Sequence, residues 1–183
     1  MTYSDFERAF SPPRLGRFLL AAKGDQQKVL HLYKLNIQLS ECLFGIMSIF
    51  EIVLRNHIGQ YYRHYFGDNE WLKNQFGFWT YMFSPIQFRV GGQGLHRIYI
   101  NRPKGTSQSQ IFNELDEVRS LRNRIAHHEP VSFDKLHQVY TGHTRAIHSY
   151  IIKHIEWLGY TSWELLLGLD ETPQILKQVD NLK

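Results

Sequence analysis

The chain has 183 residues, 43% of them apolar and 14% aromatic, enough to bury one substantial core and too few for two full domains. Its 21 Lys and Arg outnumber 17 Asp and Glu, a net charge of +4 that favours anionic partners without specifying nucleic acid. The single cysteine, Cys42, excludes a disulfide framework or a thiolate metal site within one chain and fits a reducing cytoplasm, while the start MTYSDFERAF has no apolar segment of the secretory kind.

Apolar residues recur three or four apart through most of the chain, and strand-like alternation is confined to an ambiguous run at residues 96–100. The fold is therefore expected to be all-α, one domain over residues 1–183. Ser11-Pro12-Pro13 marks a helix start, and residues 14–22 read as a short helix ending near Gly24. Over residues 25–66, Val29, Leu32, Leu39, Leu43, Ile46, Phe50, Leu54 and Ile58 share a face and predict one long helix, or two in series broken near Gly45. Its most apolar run, residues 42–50, stops at Glu51 and Arg55, so no membrane span is expected. Gly67, Asp68 and Asn69 supply a turn, and Trp71, Phe76, Phe78, Trp79, Tyr81 and Phe83 read as a short core helix before Ser84-Pro85. In the loosely patterned stretch that follows, Gly91-Gly92-x-Gly94 lacks the preceding strand and the Lys-Ser or Lys-Thr of a phosphate loop.

Residues 109–127 read as a helix with Ile111, Leu115, Val118, Leu121 and Ile125 on its apolar face, stopped by His128-Glu129-Pro130. Ser132 reads as the N-cap of a further helix reaching about Trp157, after which Gly159, Gly168 and Pro173 separate two short helices.

The chemistry-bearing string is Arg119-Ser120-Leu121-Arg122-Asn123-Arg124-Ile125-Ala126-His127-His128-Glu129-Pro130, at the end of one helix. Asn123 and His127 are four apart, so the amide can orient the imidazole, and Arg119 continues the row. Arg122 lies about 140° around the helix from His127 at 100° per residue. A long Arg reaching across, a distorted last turn or a second subunit must close that gap. Cleaving RNA without a metal needs a proton carrier near neutral pH, which histidine supplies with an unperturbed pKa of about 6.5. The negative charge that builds on the phosphorane is met best by a fixed guanidinium. His127 and Arg122 fit those two roles.

This string resembles the HEPN superfamily, whose signature is an Arg, a polar residue and then a His a few positions on; here Arg122, Asn123 and His127 match with four residues between Arg and His. Residues 121–130 are similar to the abortive-infection (Abi-like) branch in particular, as is Glu51-x-x-x-Arg55-Asn56 on the long helix. The likeness covers roughly residues 13–130, with the C-terminal helices outside it. It implies an antiparallel helical core, a homodimer joining two Arg-His pairs in one cleft, and metal-independent cleavage of RNA to a 2′,3′-cyclic phosphate. It further implies antiviral defence or toxin activity and a neutralising RNA or protein antitoxin. Catalytic residues would be Arg122, His127 and Asn123, supported by Glu51, Arg55, Asn56, Arg119 and His128.

Arg97, Arg102, Lys104 and Arg124 are the candidate RNA-binding cations. No cofactor is expected. No metal site is expected either, since His137, His143, His148 and His154 lack the spacing that sets two ligands on one face. The plain structural readings are basic residues complementing a helix C-terminus for Arg122 and His127, and an i,i+4 ion pair for Glu51 and Arg55. The alternative function is a non-catalytic HEPN module that binds RNA, a nucleotide or a protein with the same helix. An intramembrane protease is excluded because such enzymes need several apolar spans.

Overall fold

A computed structural model describes residues 2–67, 76–90 and 93–183, with the backbone alone for Phe76. The described residues are all-α, with nine helices and a lone bridge between Phe133 and Val139. The aromatic segment expected at residues 71–75, the turn residues Asp68 and Asn69, and Gly91-Gly92 lie outside the described residues.

Helix α1 (Tyr3–Phe10) is an element the sequence pattern leaves unmarked; the Thr2 hydroxyl accepts from the Asp5 amide while the Asp5 carboxylate accepts in return, a reciprocal cap. Helix α2 (Pro12–Ala21) starts on the prolines as expected. Helix α3 (Gln26–Phe66) runs unbroken through Gly45 for about 60 Å. It is capped by Asp25, whose carboxylate accepts from the amides of Gln27 and Lys28, and it ends on Gly67 at φ 70. By length and composition α3 could cross a membrane, yet Leu39, Leu43, Ile46, Phe50, Leu54 and Ile58 are all fully buried in the core.

Helices α4 (Phe76–Tyr81) and α5 (Pro85–Val90) and a 3-10 turn (Leu95–Ile98) follow, the turn occupying the run that read ambiguously as strand. Trp79 and Phe83 are fully buried, as the aromatic series implied, whereas Tyr81 is exposed. Helices α6 (Gln108–Ala126), α7 (Gly142–Trp157), α8 (Ser162–Leu165) and α9 (Thr172–Asp180) complete the chain. The main core joins α3, α6, α7 and α9, and a satellite core of Phe6, Leu15, Phe18, Leu32, Tyr33 and Phe133 fastens α1 and α2 to one end of α3.

The helix expected from Ser132 begins only at Gly142. Ahead of it the chain doubles back: Asp134 N–H donates to the Gln138 carbonyl, and its carboxylate accepts from the amides of Leu136 and Gln138. With His137 at φ 60, this side-chain capture diverts residues that a helical pattern would have continued.

Candidate functional site

Helix α6 begins under a Ser107 cap and buries Ile111, Leu115, Val118, Leu121 and Ile125. Its last turn closes with His128 N–H donating to Ile125 O at 2.9 Å and Glu129 N–H to Arg124 O at 2.8 Å. That pair of bonds is a Schellman ending, and it puts His128 in the left-handed region at φ 56, a place that favours glycine. The segment beyond is clamped from three helices. Arg124 donates to the Pro130 carbonyl and lies 3.6 Å from Glu129. The Val131 N–H donates to Asn36 Oδ1 of α3 at 2.9 Å, and its carbonyl accepts from the Thr144 hydroxyl of α7. With the exit path fixed, His127 and His128 are left facing solvent.

His127 and His128 line an open cavity of about 450 Å³ with Arg14, Arg17 and Glu129. Among the described residues no side-chain hydrogen bond or ion pair engages Arg122, Asn123 or His127, so the expected bond from the Asn123 amide to the imidazole is not formed; the two residues meet only through His127 N–H to Asn123 O at 3.0 Å. Arg122 is half-buried and is not among the residues lining the cavity. Because α6 stays helical through Ala126, the offset of about 140° between Arg122 and His127 persists in one chain.

The remaining candidates are dispersed. Arg119 is taken up by Asp116, its Nε and Nη2 lying 2.9 and 2.7 Å from one carboxylate oxygen, and it borders a separate cavity with Gly77 and Phe78. Arg124 belongs to the clamp just described. Arg102 donates to the carbonyls of His96 and Tyr99 and so braces the 3-10 turn. With exposed Arg97 and Lys104 it precedes the start of α6, about 28 Å along that helix from His127. Glu51, Arg55 and Asn56 also lie away from the motif. Phe50 packs 6.0 Å from the His154 ring, and His154 bonds Glu114 at 3.0 Å, which sets this stretch of α3 level with Glu114, roughly 20 Å along α6 from His127. The expected Glu51–Arg55 ion pair does not form, and among the described residues none of the three has a side-chain partner.

No family model matches the chain, and neither a curated protein nor a solved structure matches it.

Two groupings escaped the sequence reading. Arg14 and Arg17 line the His127 cavity from a helix more than a hundred residues earlier in the chain, and their only local signal is an i,i+3 pair of exposed cations flanking buried Leu15 and Phe18. The second is a buried polar network at the other end of α6. His154, wholly buried, binds Tyr99 Oη through Nδ1 at 2.8 Å and Glu114 through Nε2, while Lys153 and Gln110 donate to the second Glu114 oxygen at 2.7 and 3.0 Å. Burial pushes the Glu114 carboxyl up, but hydrogen bonds from His154, Lys153 and Gln110 outweigh it and hold the pKa at about 2. Burial lowers His154, and burial with the neighbouring carboxylate raises Tyr99. The coherent assignment is a neutral His154 donating to Glu114 from Nε2 and accepting the Tyr99 hydroxyl proton at Nδ1. Closed to solvent at His154 and Tyr99 and covered by part-exposed Lys153 and exposed Gln110, this saturated network is structural. Among the described residues no group of three His, Cys, Asp or Glu is arranged to hold a metal ion.

Proposed function

We propose that the chain is an endoribonuclease of the Abi-like HEPN kind, working as a homodimer in which His127 of one subunit and Arg122 of the other act on one phosphodiester. The observation that carries this reading is the exposed His127, free of side-chain partners and set in a cavity walled by the cations Arg14 and Arg17. A histidine in such a place can move a proton, and the cations around it can hold the phosphate it acts on.

In the proposed step a ribose 2′-oxygen attacks the adjacent phosphorus as an imidazole removes its proton. The O2′–P bond forms, the P–O5′ bond breaks, and the leaving 5′-oxygen takes a proton from solvent water. The products are a 2′,3′-cyclic phosphate and a 5′-hydroxyl. Arg122 offsets the charge that gathers on the phosphorane. A twofold axis along the α6 ends would supply the Arg122 that one subunit cannot turn toward its own His127.

The same angular gap favours a second reading, a binding module in which the cavity holds RNA without cutting it. Incubating purified protein with total RNA in EDTA separates the two. The ribonuclease reading expects discrete cut ends, with loss of about 10²-fold to 10⁴-fold in rate for His127→Ala and for Arg122→Ala. Equal cutting by wild type and both variants, or intact RNA throughout, refutes it.

A further inference from the structure

The His127 cavity does not end at the motif. A second cavity of about 560 Å³ adjoins it, sharing Arg17 and Glu129 and continuing over the turn at residues 131–140 to Lys135, Tyr140 and His143. Together they form one trough that crosses the end of α6.

Its lining is net basic, with Arg14, Arg17, Arg124 and Lys135 against Glu129 and Asp134. Arg14, Arg17 and Lys135 have no ion pair among the described residues. The two carboxylates at its edge are already engaged, Glu129 with Arg124 and Asp134 with the amides of Leu136 and Gln138. Nδ1 of His137, buried at this wall, has no hydrogen-bond partner among the described residues.

The wall is also rigidly mounted. Leu15 and Phe18 are each 1% exposed, and Phe18 meets Phe133 edge-on at 5.0 Å and Tyr33 at 5.0 Å. Leu15 and Phe18 are anchored in the satellite core while Arg14 and Arg17, one turn apart on the flank of the same helix, stay exposed; their Cβ spacing of about 5–6 Å suits consecutive phosphates of a strand. Across the trough the half-exposed Tyr140 ring offers a surface for an unpaired base.

We infer that this trough is the single-stranded RNA track of the enzyme, with Arg14 and Arg17 of α2 holding backbone phosphates and Tyr140 stacking a base beside His127. The inference rests on the ribonuclease reading for its choice of ligand and adds the residues that bind it. Stacking on Tyr140 demands a base free of a partner strand, which selects single-stranded RNA over duplex.

The test measures binding apart from cutting. His127→Ala protein is titrated with a fluorescein-labelled single-stranded RNA of mixed sequence in EDTA across a salt series. Adding Arg14→Ala and Arg17→Ala is expected to raise Kd at least tenfold and to flatten the slope of log K against log salt by about 1.4, two phosphates at about 0.7 each. Arg14→Lys with Arg17→Lys keeps the slope, and Tyr140→Ala weakens binding without changing it. Lys177→Ala, on the exposed face of α9, is the control. Affinity and slope unchanged by the double alanine variant, or no RNA held by the parent at low salt, overturn the inference. The two claims fail separately: Arg14- and Arg17-dependent binding without any cutting by wild type sinks the ribonuclease reading alone. Cutting that needs His127 while binding ignores Arg14 and Arg17 sinks the trough alone.

Discussion

The two ends of α6 each present a histidine among charged groups, and they have opposite characters. Near its start, Glu114 meets His154, Lys153 and Gln110, with every partner within 3.0 Å and His154 closed to solvent. At its finish, His127 and Arg122 have no side-chain partner among the described residues, and His127 opens into a cavity lined by arginines. A saturated network closed around buried His154 spends its polar groups on one another and fixes α6 against α7; an unsatisfied, solvent-facing one leaves them for a ligand. The contrast, more than the presence of histidine, separates the structural site from the functional candidate.

Substitution should break the two ends differently. Replacing Glu114 with Ala leaves buried His154 without its acceptor and releases part-exposed Lys153 to solvent, which should cost about 1–3 kcal/mol, read as a fall in Tm of about 5 °C. His127→Ala, at an exposed position, should leave Tm within about 2 °C while removing cleavage. Equal Tm values for the two variants would erase the distinction.

Acid sharpens the same comparison. The Glu114 pKa is depressed from 4.5 to about 2, so the stability it contributes is present above pH 4.5 and lost as pH falls through about 2, an effect of about 3 kcal/mol. His154, also depressed, acts in the same direction: the unfolded chain takes up its proton first as pH drops below 6.5, and folding weakens. Urea titrations from neutral pH to pH 2 should show this loss, and Glu114→Gln should flatten its lower part; an unchanged profile in Glu114→Gln would contradict the assigned network.

Smaller effects are expected around the motif itself. His128→Gly relieves a left-handed backbone and should stabilise by about 1 kcal/mol, raising Tm by about 2–4 °C. Arg119→Ala removes a part-exposed ion pair with Asp116 and should cost no more than about 1 kcal/mol, with cleavage retained. Loss of cleavage in Arg119→Ala would return that residue to the active site.

Local pattern carried most of the fold and the tip of the site. The stripes of α3 and α6, the proline start of α2 and the His128-Glu129-Pro130 stop all act within a few residues, so periodicity and capping chemistry expose them. The turn at residues 131–140 escaped because one carboxylate, Asp134, overrides a helical pattern. The setting of the motif was illegible for a different reason: the Asn36 clamp on Val131 spans 95 residues, and nothing near Arg14 or Arg17 announces that α2 faces the end of α6 across a cavity. The expected supporting set at Glu51, Arg55 and Asn56 shares a helix with Asn36 but sits several turns away from it, so sequence likeness could not report its distance from His127.

Whether one site draws on two subunits is best asked by mixing inactive proteins. Arg122→Ala and His127→Ala subunits, denatured and refolded together in equal amounts, form half heterodimers, each with one intact pairing of Arg122 and His127 contributed across the interface. Cleavage of RNA in EDTA should return to about a quarter of wild type, although each variant alone is inactive. A mixture as inactive as its components, from a wild type that cuts, would contradict the shared site.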